Sequence, residues 1–285
     1  MSKNIAVYNP IACCGKGEKN AHRLDKILSG QAVTYYDITQ IQNYEDFFRS
    51  VSSETSVIIC GGDGTLNRFI NATYNMNIPN DIYYFACGTG NDFLHDLGLE
   101  SVGKPIKINQ YIKDLPVVTV KGKQYRFLNN VGFGLEGYCC NVGDEMRAAH
   151  KKKINYTAIA IKGVLGGFHP VKANVTVDGA SYDYEHVWIA PTLKGRFLGG
   201  GMMAAPSQNR SAESRTVSFM VYHCRQKLKA LIVFPSIFKG EHIKHTEMVD
   251  IKAGHHIKVK FDRPSPLQID GETILDVTEY EVNAE

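Results

Sequence analysis

Short apolar runs, each closed by a polar or glycine-rich turn, set the rhythm of the first 115 residues. Residues 5–8, 33–37, 56–60 and 82–86 are four or five positions long and rich in aliphatic or aromatic side chains, which predicts short buried strands. Between them, residues 18–28, 44–51 and 66–74 place their apolar positions at helical intervals. Strand alternating with helix predicts a parallel sheet covered on both faces. After about residue 115 the pattern changes. PVVTVKGKQYRFLNNVGFG, VKANVTVDGASYDYEHVWIA and TVSFMVYHC carry β-branched residues with turn signals between them, such as Lys121-Gly122-Lys123 and Asp178-Gly179. One helix, at residues 155–164, is expected to interrupt this series. The expected organisation is an α/β domain over residues 1–115 and a mainly antiparallel β domain over residues 116–285, with the boundary near 112–116.

Composition narrows the classes of function. A chain of 285 residues with 44% hydrophobic content can bury the core of one large domain or two ordinary ones. A formal net charge of +3 with 21% charged residues gives no basic surface of the kind nucleic acid requires, so no nucleic-acid partner is expected. The seven cysteines include the adjacent pairs Cys13-Cys14 and Cys139-Cys140 and form no C-x-x-C motif, which favours reduced thiols in a cytoplasm over a disulfide framework or a zinc site. The opening MSKNIAVYNP has too short an apolar stretch for a signal peptide, and no run reaches the roughly 20 apolar residues of a membrane span. The expectation is a soluble protein that touches a membrane, if at all, from one side.

The chemistry concentrates where strands end. In IICGGDGTLN, Gly61, Gly62 and Gly64 allow a ligand close to the main chain and leave N–H groups for phosphate oxygens. Asp63 among them suits a bridging divalent cation or a hydroxyl, because a bare carboxylate would repel phosphate. Read alone, this is equally a tight strand-to-helix turn capped by Asp63 or Thr65. A second turn, FACGTGNDF, with Thr89, Asn91 and Asp92, and a third, NPIACCGKGEKN, with Asn9, would face the same crevice beyond the strands' carboxyl ends. None has Walker A spacing or the Rossmann G-x-G-x-x-G pattern.

Together, the NP dipeptide with its glycine-containing loop, IICGGDGTLN and FACGTGNDFLHDLGL resemble the catalytic domain of the diacylglycerol kinases and their bacterial lipid kinase relatives, in the superfamily that includes NAD kinase. LNNVGFGLEGYC, FLGGGMMAAP and LQIDGETI fall where that family has counterparts, so the resemblance spans most of the chain. It implies an N-terminal ATP-binding α/β domain and a C-terminal β-sandwich, with the last strand free to return to the first domain. It implies ATP and Mg2+, a lipid substrate such as diacylglycerol, and contact with a membrane surface. It leaves the assembly open, a homodimer included. Carried over by position, Gly61, Gly62, Asp63, Gly64 and Thr65 would hold nucleotide phosphates and metal, with Asp63 the metal ligand and Asn67 just beyond. Asn9 and Thr89 would meet nucleotide, and Asn91 and Asp92 would order the cleft. Asp270-Gly271-Glu272 would supply the base that accepts the substrate hydroxyl's proton, Glu272 first and Asp270 as its rival or partner. That tripeptide is also a plausible hairpin turn between LQI and TILDV.

The chain departs from the family in places. Ala212 and Glu213 stand where many bacterial relatives carry an Asp-Gly pair for an accessory metal, Lys194-Gly195 replaces a frequent Asn-Gly, and Gly134-Leu135-Glu136 replaces a common Phe-Asp-Ala type segment. These changes leave the lipid open. NAD kinase is the alternative soluble-substrate reading, against which GTGNDF counts, and a regulatory nucleotide-binding protein without catalysis is a third. His150-Lys151-Lys152-Lys153 is either a membrane-facing basic cluster or a solvated helix start. The ten histidines lack a matching acidic or cysteine set, which favours structural or surface roles, and Trp188 is expected in the sandwich core.

Overall fold

In the computed structural model, which describes residues 4–87, 91–99, 103–150 and 154–285, the first of two units, Met1–Asp114, is built on five strands. These are β1 (Asn4–Tyr8), β2 (Val33–Asp37), β3 (Ser56–Gly61), β4 (Ile82–Ala86) and β5 (Ile106–Lys107), in the order β2-β1-β3-β4-β5. The first four run parallel, and β5 joins antiparallel to β4. Central β3 is buried from Val57 through Gly61, as expected for a strand covered on both faces. One face packs Ala6, Ile58 and Phe85 against Ala21 and Leu24. These last two belong to α2 (Gly17–Ala21) and α3 (Leu24–Ile27), which follow α1 (Ala12–Gly15). The single helix expected over 18–28 is therefore two short ones.

Elsewhere in this unit, α4 (Tyr44–Ser50) starts at Asn43, whose side chain accepts hydrogen bonds from the Glu45 and Asp46 N–H groups at 2.8 and 3.3 Å. The next helix, α5 (Asp63–Thr73), buries Leu66, Phe69, Ile70 and Thr73, a helical stripe. It begins three residues before the expected start at Leu66, so Asp63-Gly64-Thr65 forms its first turn. Short helices α6 (Asp92–Asp96) and α7 (Asn109–Ile112) complete the unit.

The second unit, Leu115–Glu285, is antiparallel throughout its strand pairings. Its strands are β6 (Val117–Val120), β7 (Lys123–Arg126), β8 (Asn130–Gly134), β9 (Val171–Val177), β10 (Ala180–Leu193), β11 (Phe197–Leu198), β12 (Met202–Met203), β13 (Val217–His223), β14 (Val249–Gly254), β15 (His256–Ile269) and β16 (Glu272–Asn283). The 14-residue strands β10 and β15 each pair with β9 along one part and with β8 along another, so β8, β10, β9 and β15 close a ring. Register irregularities within both long strands accompany the change of partner. The last strand pairs with β15 and β6 of its own unit.

One core cluster contains Phe133, Phe219, Phe261 and Tyr280, with Phe133 and Phe261 stacked at 4.3 Å between ring centroids. A second lies where the strands meet helices, and holds Trp188, Met220 and Tyr222. Trp188 is 1% exposed and donates its indole N–H to the Cys224 carbonyl at 2.9 Å.

Among the described residues, three α-helices lie in this unit where one was expected. The expected one is α9 (Tyr156–Lys162), capped by Asn155 and continued by a π-helical turn at Gly163–Gly167. Unforeseen are α8 (Leu135–Ala148) and α10 (Lys227–Val233). The α8 sequence LEGYCCNVGDEMRA contains two glycines and an Asn, poor helix formers that hid its period. No described helix is long and apolar enough to cross a membrane.

Candidate active site

In the first unit, three loops leave the carboxyl edge of the sheet side by side. The backbone bonds from Asn9 N to Cys60 O (3.1 Å) and from Cys87 N to Gly61 O (2.8 Å) extend the strand pairing into them. Gly61 ends β3 at a close approach: a Cβ there would stand 2.5 Å from Thr65 Cβ, so only glycine lets α5 begin so tightly against the strand. Gly62 caps α5 with extended backbone and has open space where a side chain would be. The first turn of α5 thus offers the N–H groups of a helix start beside an open flank, the arrangement that binds anions.

Side-chain bonds tie the loops together, among them Asn20 Nδ2 donating to Cys87 O at 3.3 Å. Asn9 Nδ2 donates to Thr65 Oγ1 at 2.9 Å across 56 residues, while Asn9 Oδ1 accepts from Ile11 N at 3.2 Å. Asp63 Oδ2 accepts from Phe93 N at 3.3 Å, which joins α5 to the start of α6. Asp63 Oδ1 accepts from the Tyr84 hydroxyl at 3.3 Å. Asn91 immediately precedes α6, and Asp92 is its buried first residue. Asn67 is buried on α5, where its carbonyl and side-chain oxygens each accept from Asn71 at 3.1 Å.

Asn9, Gly61, Gly62, Asp63, Gly64, Thr65, Asn91 and Asp92 are therefore gathered on these loops and helix starts, with Asn67 one turn farther along α5. Thr89 lies outside the described residues, as do Lys151, Lys152 and Lys153. Sequence reasoning missed Tyr84. Fully buried on β4, it supports Asp63, and burial together with that carboxylate holds its phenol well above the ordinary value. Its only sequence signal was an inward strand position.

In the second unit, Asp270 and Gly271 form the two-residue turn between β15 and β16, with φ of 46° and 90° and Ile269 opposite Glu272. The hairpin reading of this tripeptide holds, and positive φ at both central residues marks a type I′ turn. The Asp270 carboxylate is turned inward: Oδ2 accepts from Leu128 N at 2.5 Å, and Oδ1 from Asn129 N and Asn130 N at 2.8 and 2.9 Å. Burial raises its pKa, opposed by those three N–H groups and by Arg210. Arg210 in turn donates to Leu128 O at 3.1 Å and Asn129 Oδ1 at 3.0 Å. Glu272 opens β16 and is half-buried.

The turn is also held from behind. Gln268 Oε1 accepts from Gly271 N at 2.9 Å, while Gln268 Nε2 donates to Glu136 Oε2 at 3.1 Å and to Asn130 Oδ1. Glu136 lies in the first turn of α8, its Oε1 closed off from solvent against Gly132 with no hydrogen-bond partner. Burial pushes its pKa up to about 8, against the lowering effect of Gln268, so at neutral pH it is mostly the uncharged acid. Glu136, Gln268, Asn129 and Arg210 went unassigned in the sequence, although LNNVGFGLEGYC had marked the segment. The described residues contain no group of three or more His, Cys, Asp or Glu suited to a metal. His242 is buried with Nε2 3.0 Å from Ala204 O, and His256 Nε2 is 3.1 Å from Glu285 Oε1.

Residues 3–120 match the diacylglycerol kinase catalytic domain, and residues 129–281 match the YegS C-terminal NAD kinase beta sandwich-like domain. A diacylglycerol kinase of Mycobacterium tuberculosis is 24% identical over 264 residues, covering 89% of this chain and 84% of that protein. One of Bacillus subtilis is 26% identical over 222 residues, covering 76% and 70%. A crystal structure of a diacylglycerol kinase from Bacillus anthracis superposes with a TM-score of 0.61 at 17% identity, over 99% of this chain and 94% of that one, which is a likeness of fold.

Proposed function

The chain belongs to the family that joins a diacylglycerol kinase catalytic domain to a YegS-type β-sandwich, and from that premise we propose that it is an ATP- and Mg2+-dependent lipid kinase acting on the hydroxyl of diacylglycerol or a related lipid. The observation that carries this reading is the knot of three loops at the sheet's carboxyl edge, tied by Asn9 to Thr65 and by Asp63 to Phe93 around a half-buried helix start. The open flank at Gly62 suits a bulky phosphate chain, which the N–H groups from Gly62 to Thr65 would hold. Mg2+ is commonly bound by one or two carboxylates together with substrate phosphates, so Asp63 suffices as its protein ligand; when bound, the ion offsets charge on the transferring phosphoryl group.

The rest of the reaction falls to proton transfer. The lipid hydroxyl oxygen forms a bond to the γ-phosphorus, the bond to the β–γ bridging oxygen breaks, ADP leaves, and the hydroxyl proton passes to a carboxylate. We assign that carboxylate to Glu272. Asp270 already accepts three backbone N–H groups, and its work is to hold the loop at 128–130 against the turn that carries Glu272. Replacing Glu272 with Gln is expected to lower kcat about 10²- to 10⁴-fold while ATP affinity stays within twofold or so. The measurement is transfer of labelled phosphate from ATP to dispersed diacylglycerol, beside a calorimetric titration with ATP. Near-normal turnover would remove Glu272 as the base, and a wild-type protein that labels NAD but no lipid would overturn the reading.

A further inference from the structure

Beyond the catalytic groups, the second unit exposes a set of large aliphatic side chains that its own fold does not cover. On α10, Ala230 and Val233 face the core, yet Leu228 and Ile232, one turn apart, are each 71% exposed. The π-helical turn after α9 repeats the pattern. Gly163 and Val164 are buried, whereas Leu165 on the turn and Ile161 at the end of α9 stand 65% and 48% exposed. The two segments pack against each other, and their inner residues Val164, Ala230 and Val233 share one core cluster. Phe238, 49% exposed, follows on the 3-10 segment after α10. A short helix that is apolar on its outer face as well as its inner one is built for apolar surroundings on both sides.

Charge selects among the candidates for that outer side. Residues 156–167 and 225–244 together carry six basic side chains and one acidic one, Glu241. Lys244 pairs with Glu241 at 3.0 Å and Lys229 with Glu247 at 2.8 Å, whereas Lys162, Lys227 and Lys239 make no ion pair with the described residues. A second copy of the chain seated face to face would set these lysines against their own kind. An anionic bilayer surface instead offers hydrocarbon to the aliphatic residues and phosphate to the ammonium groups.

We propose that this face, formed by α10, the 3-10 segment after it and the π-helical turn at Gly163–Gly167, is the surface by which the protein seats on an anionic membrane. It deepens the lipid-kinase reading by naming how the chain reaches a water-insoluble substrate.

The test uses the full chain and sedimentation with unilamellar vesicles. Wild type is expected to bind vesicles of mixed phosphatidylcholine and phosphatidylglycerol, to bind pure phosphatidylcholine much less, and to be released by salt. The double variant Leu228→Glu/Ile232→Glu should bind at least about tenfold more weakly. Lys227→Glu/Lys239→Glu should also lose at least about tenfold, since each near-surface lysine contributes roughly a factor of five. Leu275→Glu, at an exposed leucine on β16, should bind as wild type. Trp188 fluorescence checks that each variant is folded.

No binding to anionic vesicles by wild type, or equal binding by Leu228→Glu/Ile232→Glu, would overturn the proposal. So would a wild-type dimer that this variant turns to monomer, because the face would then belong to a second copy. A short-chain diacylglycerol supplied as monomers separates the two readings. Its phosphorylation by wild type without vesicle binding sinks only the surface, and vesicle binding without its phosphorylation sinks only the kinase.

Discussion

Replacing Glu136 with Gln should make the protein more stable, by an amount that grows with pH. Its Oε1 is closed off from solvent against Gly132 and its Oε2 accepts from Gln268, with a native pKa of about 8 against 4.5 for the unperturbed group. A carboxyl with a raised native pKa holds its proton in the folded state after the unfolded chain has released it. Stability therefore falls as pH rises from the unfolded value toward the native one, at about 1.4 kcal/mol per pH unit. Below about pH 4.5 both states are protonated and the effect vanishes; above about pH 8 it is complete, at roughly 5 kcal/mol as an upper figure.

Glutamine keeps an acceptor for Gln268 and, like the protonated acid, leaves one buried polar group unpaired, so near pH 5 the variant should match wild type within about 1 kcal/mol. By pH 7.5 it should be more stable by about 3 kcal/mol relative to that baseline. Urea unfolding between pH 5 and pH 8, followed by fluorescence, measures this directly. Trp188 is the chain's one tryptophan and is buried in the same unit as Glu136. A stability difference that stays flat across this range, or shrinks as pH rises, would refute an uncharged Glu136 and the low-dielectric setting inferred for it.

Two further outcomes follow from the site. Gly61→Ala places a methyl 2.5 Å from Thr65 Cβ and forces the threonine off Asn9, which should weaken ATP binding roughly tenfold by calorimetry, and unchanged affinity would show that the strand-to-helix turn tolerates a side chain. Asp270→Asn turns an amide NH2 toward a buried backbone N–H and should cost about 1–3 kcal/mol in urea unfolding read at Trp188, whereas Glu272→Gln should cost little; equal stability for both variants would deny Asp270 its anchoring role.

Much of the framework was legible along the chain. The run SVIICG reads as a buried strand because a strand covered on both faces needs no polar alternation, and Asp178-Gly179 and Lys121-Gly122 read as hairpins because both turn residues must take positive φ. Helix α10 was less legible, since a short apolar run such as KLKALIV has no period to separate helix from strand. The start of α5 was misplaced for a related reason. Its cap is Gly62, with no side-chain bond, and not Asp63 or Thr65, the capping residue types that the turn offered.

What the amino-acid order determined by itself is where the strands stop and which residues crowd the turns after them, because apolar runs, glycine freedom and hairpin chemistry act between neighbours. What only the tertiary structure decided is which of those turns meet and what state their groups take. Asn9 finds Thr65 across 56 residues, and the Asp270 carboxylate closes on amides about 140 residues away. The Glu136 pKa is raised because strands distant in sequence bury its carboxyl. Contacts of that range depend on the path of the whole chain, and desolvation is a property of everything packed around a group, so neither is written in the residues on either side.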